Sequence, residues 1–152
     1  ANTAVGKDAM RLTTGSNNTA VGRGAMDANT SGSYNTALGD IALASNTTAS
    51  NNTAVGYQAG YSNTTGTSND AFGFQSLYTN STGAGNTALG FRTLFSNTTG
   101  GRNVAVGYTA GYSNTTGHIT AVGAYTLNSN TTGTSNTKNS ALPCAYHWGF
   151  QL

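Results

Sequence analysis

Seven side chains in this sequence carry a carboxylate, an imidazole or a thiol: Asp8, Asp27, Asp40 and Asp70, His118 and His147, and Cys144. Catalysis needs such groups to converge on one point. The four carboxylates fall at unlike places in the repeat described below, so they do not form the pair that a glycosidase uses. His118 lies in a turn and His147 near the end of the chain, without metal-ligand spacing between them. Three copies of His118 would surround an ion only if a turn position faced inward, and turn positions usually face solvent. Cys144 and His147 are close in sequence, which does not fix their geometry. The 21 glycines include neither a phosphate loop nor a calcium-binding repeat. The expectation is a protein that is not an enzyme, with no catalytic residue, no metal and no cofactor.

The elements that hold these residues come from a repeat. Blocks such as "NTAVG", "NTALG" and "NVAVG" recur, and the glycine that closes each one stands at Gly6, Gly22, Gly39, Gly56, Gly73, Gly90, Gly107 and Gly123. The period is about 17 residues. Coils start at Asn2, Asn18, Asn35, Asn52, Asn69, Asn86, Asn103, Ile119 and Asn136. A fixed period of this kind means units that bury their faces only against their neighbours. Two helices do not fit in so few residues with Gly, Asn and Thr turns in every unit, and no apolar stripe has helical spacing. Alternation of Thr and Val with Asn, Ala and Gly is strand periodicity, and β-branched residues suit a pleat. We therefore expect two short strands per coil, around "NTAVG" and around "YQAGY", joined through the Gly corner and "SNTTGTS".

Composition agrees with a solenoid better than with a globule. Val, Leu, Ile and Phe supply 22 of 152 residues, too few for an ordinary core. Disorder driven by charge is equally excluded, because there are six basic and four acidic side chains and a formal charge of +2. Nothing in that balance would grip nucleic acid or an anionic membrane, and no apolar stretch reaches the roughly 20 residues of a membrane helix. Stacked coils solve the problem differently: Ala, Val, Leu and Thr fill a thin interior while Asn and Thr ladders bond to their own kind. The closing glycines fit a corner of positive φ. Eight coils at about 4.8 Å each give a rod of about 38 Å. The single cysteine excludes an internal disulfide.

The in-phase "NTAVG", "NTALG" and "NVAVG" blocks, separated by "NTTG" turns over residues 2 to 140, resemble the head repeats of trimeric autotransporter adhesins and the related repeats of bacteriophage tail fibres and tailspikes. The resemblance implies an all-β, left-handed parallel β-roll with three chains around a common axis, holding or presenting a host-binding surface outside the cell, on a virion tail fibre or a bacterial surface. The longer "SNTTGTS" segment implies a larger outer loop than the adhesin repeat has. An outer-membrane anchor and a self-cleaving chaperone are both absent from the sequence, and the start at Ala1 within a repeat reads as a piece of something longer. Phage and bacterial settings stay open.

Information then lies in the variable positions. The sixth position of the coil runs Lys7, Arg23, Asp40, Tyr57, Phe74, Phe91, Tyr108 and Ala124; the tenth runs Arg11, Asp27, Ala44, Tyr61, Tyr78, Phe95, Tyr112 and Asn128. These two positions are expected to share a face, charged in the first three coils and aromatic in the next four. Arg23 then neighbours Asp40, and Arg11 neighbours Asp27. The eight rings either pack between protomers or under the long loop, or they form a receptor platform for a glycan or a protein. Asn-x-Thr/Ser triplets at Asn29, Asn46, Asn63, Asn80, Asn97, Asn114 and Asn130 fall on the expected outer loop as exposed glycan acceptors. The competing reading is that they are turn formers whose spacing is inherited from the repeat.

After the ninth start the text changes to "ALPCAYHWGFQL", residues 141 to 152, which reads as a cap over the last coil or a junction. The leading functional expectation is a structural and adhesive rod, a homotrimer displaying a binding face. The alternatives are a subunit of an end-to-end extracellular filament, because open sheet edges pair, and an ice-binding solenoid built on the Thr column Thr3, Thr19, Thr36, Thr53, Thr87 and Thr120.

Overall fold

Three-residue Thr-Ala-Val segments, or close variants, form the first seven strands of the computed structural model, which describes residues 1–139; the eighth is the four-residue Ile-Thr-Ala-Val and the ninth Asn-Thr-Lys. The strands are β1 (Thr3–Val5), β2 (Thr19–Val21), β3 (Thr36–Leu38), β4 (Thr53–Val55), β5 (Asp70–Phe72), β6 (Thr87–Leu89), β7 (Val104–Val106), β8 (Ile119–Val122) and β9 (Asn136–Lys138). They pair parallel in chain order in one sheet. Each residue sits over its counterpart one coil away: Thr36 pairs with Thr53, Ala37 with Ala54 and Leu38 with Val55. The chain is thus an all-β parallel solenoid of about eight turns with a coil every 17 residues or so. The cap at residues 141 to 152, including Cys144 and His147, lies outside the described residues.

Each coil holds one strand among the described residues, where two were expected. The second segment still bonds coil to coil: Gly24 N–H donates to the Lys7 carbonyl and Met26 N–H to the Ala42 carbonyl, at 2.9 and 3.0 Å. Its backbone is not pleated, because the seventh and ninth residues of the coil are left-handed. Gln58 has φ of 54°, Gln75 of 52°, Leu77 of 50° and Leu94 of 48°. Sequence alternation of period two therefore arises from alternating backbone hand, which propensity scales do not see. Nineteen non-glycine residues have positive φ among the described ones. Holding an L-residue there costs on the order of 1 kcal/mol, offset by the inter-coil bonds that such a turn aligns.

The strand faces are also the reverse of what apolar content suggests. Ala at the third position points inward, and Ala20, Ala37, Ala54, Ala88, Ala105 and Ala121 are fully buried. Val and Leu at the fourth position, expected in the core, point outward: Val5 is 57% exposed and Leu89 48%. A coil this narrow admits only a methyl from the strand, and alternation then sends both flanking residues to the surface. The interior is completed by the eighth position, small in every coil, and by Met10, Met26, Leu43, Leu77 and Leu94 at the ninth.

Two columns of asparagine run through this interior. At the first position, Asn18, Asn35, Asn52, Asn69, Asn86 and Asn103 are buried, and each side-chain oxygen accepts the backbone N–H of the next coil, as Asn35 does from Asn52 at 2.9 Å. At the twelfth, Asn46 Nδ2 donates to Asn29 Oδ1 at 2.8 Å and Asn63 Nδ2 to Asn46 Oδ1 at 3.0 Å, and the pattern continues to Asn130. Both columns meet at shared carbonyls: Gly83 O accepts from Asn69 and from Asn80, each at 2.9 Å. Polar columns share the interior with the thin apolar core because nearly every donor has a partner one rung away.

The closing glycines all lie at φ between 115° and 141°. At Gly90 (φ 134°) an added Cβ would stand 2.5 Å from the Gly107 oxygen, so both backbone hand and coil spacing demand glycine.

Candidate functional site

On this frame the sixth and tenth positions form two rows of rings at the surface. In the sixth-position row Tyr57, Phe74, Phe91 and Tyr108 stack with centroids 5.3, 5.2 and 4.9 Å apart. In the tenth-position row Tyr61, Tyr78, Phe95 and Tyr112 stack at 5.3, 5.0 and 5.0 Å, with planes within 9° of parallel. The spacing is that of the coils themselves, and offset stacking adds about 0.5–1.5 kcal/mol per pair beyond burial. Tyr57, Phe74 and Tyr108 are exposed; the tenth-position rings are half-buried. Sequence spacing placed all eight on one face, and Arg92 shows that they do share one: its guanidinium lies 5.3 Å from the Phe91 centroid and 5.4 Å from that of Phe95.

Between the rows runs a polar column that sequence reasoning missed. Gln75 Nε2 donates to Gln58 Oε1 at 2.7 Å, and Arg92 Nε donates to Gln75 Oε1 at 2.8 Å. The signal was present in the sequence, since Gln58, Gln75 and Arg92 all occupy the seventh position; the left-handed backbone there is what turns them toward one another. A further ring was also missed. Tyr125, at the seventh position, meets Tyr108 edge-on at 5.3 Å and 62°, and extends the sixth-position row by one coil.

The charged end of the face follows the sequence reading. Arg11 grips Asp27 with Nε and Nη2 at 2.9 and 3.1 Å, and Arg23 Nη2 reaches Asp40 Oδ2 at 2.8 Å. Both pairs are largely exposed, so each contributes about 0–1 kcal/mol and mainly holds register. Asp40 Oδ1 is buried without a hydrogen-bond partner. Asp8, at the seventh position of the first coil, is exposed on this same charged end beside Arg23 and Asp27; Asp70 is exposed on its strand, and His118 is exposed at its turn. No group of three or more acidic, His or Cys side chains that would hold a metal ion occurs among the described residues.

The seven asparagines expected on an exposed outer loop are placed differently. Asn29, Asn46, Asn63, Asn80, Asn97 and Asn114 are buried, and Asn130 is half-buried. The Nδ2 of Asn63, the atom a glycan would join, instead donates to Asn46 and to the Gly66 carbonyl. The exposure that reading required is therefore not present in the folded coil. The Thr or Ser that follows the asparagine is half-buried or exposed, and from Thr30 to Thr115 it bonds its hydroxyl to the next coil, as Thr47 does to the Thr64 carbonyl at 3.0 Å.

Comparison of the chain with protein-family models, with curated proteins and with solved structures found no match. No helix among the described residues is long and apolar enough to cross a membrane.

Proposed function

We propose that the chain is a structural and adhesive rod segment, a homotrimer that displays a binding face on the outside of a virion tail fibre or a bacterial cell. It acts by rigid presentation, without catalysing a reaction. The observation that carries this reading is the pair of stacked aromatic rows, in register with the coils and open to solvent along one side of a frame whose polar interior is bonded internally. Aromatic faces beside amide side chains suit sugar rings and protein loops alike. On the other side of the Gly corner, the outward Val and Leu column leaves a long apolar strip, including Leu38 at 47% and Leu89 at 48% exposure. That strip is the surface we assign to contact between protomers.

Replacing Tyr61, Tyr78 and Tyr112 together by Ser separates the two faces. The expected outcome is an unchanged oligomer by sedimentation and loss of adsorption to a glycan array. Collapse of the oligomer instead would assign the rings to the protomer interface.

One observation favours a second reading, ice binding. The strand threonines point outward, and Thr3, Thr19 and Thr36 are exposed in line. Asp70 and Val104 break that rank, and a thermal hysteresis assay decides it: activity at micromolar protein supports ice binding, and none removes it.

A further inference from the structure

The tenth-position row of rings has a beginning, and its first ring differs from the rest. Tyr61 lies against Tyr78 on one side, 5.3 Å away and within 9° of parallel. On the other side its in-row neighbour is Ala44, a single methyl where another ring would stack. The seventh position one coil earlier is Gly24, whose side-chain space is taken by the Ile41 γ-methyl, 3.0 Å from where a Cβ would stand. The missing ring at Ala44 leaves a notch of about 360 Å³ beside Tyr61, lined also by Gly24 and Ile41, with polar groups around it. That is within the size range of small-ligand sites.

Two of the polar groups are held in place. Asp27 lines the notch with its carboxylate gripped by Arg11, and Arg23 lines it while tethered to Asp40. Asp8 and the hydroxyl-bearing Ser45 complete the rim. Carboxylate oxygens keep lone pairs for further hydroxyl donors when one guanidinium is already bound. Immobilised acceptors lose little entropy when a ligand arrives.

We infer that this notch binds one pyranose ring of a neutral glycan, its C–H face on the free face of Tyr61 and its hydroxyls on Asp8, Asp27 and Ser45. The chemistry favours that class over others. Both guanidiniums at the notch are already bound to carboxylates, Arg11 to Asp27 and Arg23 to Asp40, which leaves neither free for an anion, and a single ring does not make the aromatic cage that a quaternary ammonium group needs. The site deepens the display reading above and rests on that face being open to solvent.

The test is an NMR titration of the whole segment, through the millimolar range typical of single-sugar contacts, with the methyl β-glycosides of glucose, galactose and N-acetylglucosamine. Saturable shifts of the Tyr61 ring and the Ala44 methyl are expected with at least one of them. Ala44→Tyr, which extends the stacked row into the notch, is expected to weaken binding at least tenfold. Tyr61→Leu, which keeps apolar bulk and removes the aromatic face, is expected to do the same. Absence of saturable shifts, binding that survives Ala44→Tyr, or a response to tetramethylammonium in place of the glycosides would overturn the inference. A segment of single-chain mass that still binds glycoside would overturn the trimer alone, and a trimer that ignores all three glycosides would overturn the notch alone.

Discussion

Single residues carry this fold through hydrogen-bond geometry and backbone hand more than through hydrophobic volume. Gly90 combines a φ of 134° with an oxygen 2.5 Å from where a Cβ would stand. Strained backbone and overpacking each cost about 1–3 kcal/mol, so Gly90→Val is expected to destabilise by about 3 kcal/mol or more, lowering the melting temperature by roughly 6–12 °C for a chain of this size. An unchanged melting curve would remove the corner role. Asn63 tests the buried ladder. It donates to Asn46 and Gly66 and accepts from Asn80 at 2.9 Å, so Asn63→Ala leaves the Asn46 oxygen and the Gly66 carbonyl unpaired, takes one of two bonds from the Asn80 amide, and is expected to cost about 2–4 kcal/mol. Asn63→Asp sets a carboxylate against two acceptor oxygens. Its folded-state pKa lies above the unfolded value of about 3.9, so its stability falls as pH rises from about 4 toward 7, while Asn63→Ala shows no such added slope. Parallel pH profiles for the two variants would contradict a buried ladder.

At the scale of elements, the coil and its register were legible in the sequence, and the inside and outside of the coil were only partly so. The spacing of the closing glycines located the first eight coils, and the rungs Arg11–Asp27 and Arg23–Asp40 follow directly from it. Alternation alone leaves open which set of residues faces in; the narrow coil chose Ala54 and turned Val55 outward, against apolar content. The triplet at Asn63 reads as a surface loop by composition, yet the bond from its amide to the Gly66 carbonyl tucks the side chain inside. Of the site, the eight rings were found by column, while the Gln58–Gln75–Arg92 row needed the left-handed backbone that no residue type announces. Ile119 shows how closely columns compensate. It interrupts the asparagine ladder at the first position, and its Cδ1 occupies the space beside Gly111, 2.7 Å from where a Cβ there would stand. A ladder position and a core position are exchanged together across one rung.

The molecule behaves as a one-dimensional stack, because each strand among the described residues contacts only the strands before and after it. Removing residues 69–85 joins Ser68 to Asn86 in phase and is expected to give a shorter rod that still unfolds cooperatively. Removing residues 69–77 alone breaks the phase and is expected to abolish cooperative unfolding by circular dichroism. Equal behaviour of the two deletions would contradict coil-by-coil stacking. The same geometry sets what the rod can do: it repeats one surface at about 4.8 Å intervals along its length, and the proposed function assigns its apolar strip to other copies of the chain and its aromatic rows to a ligand. The proposed function depends most on that strip being covered by other copies of the chain. The solution mass of the purified segment by sedimentation equilibrium measures this directly: three times the 15.4 kDa chain is expected, and a single chain, or an open-ended series of larger species, would contradict it.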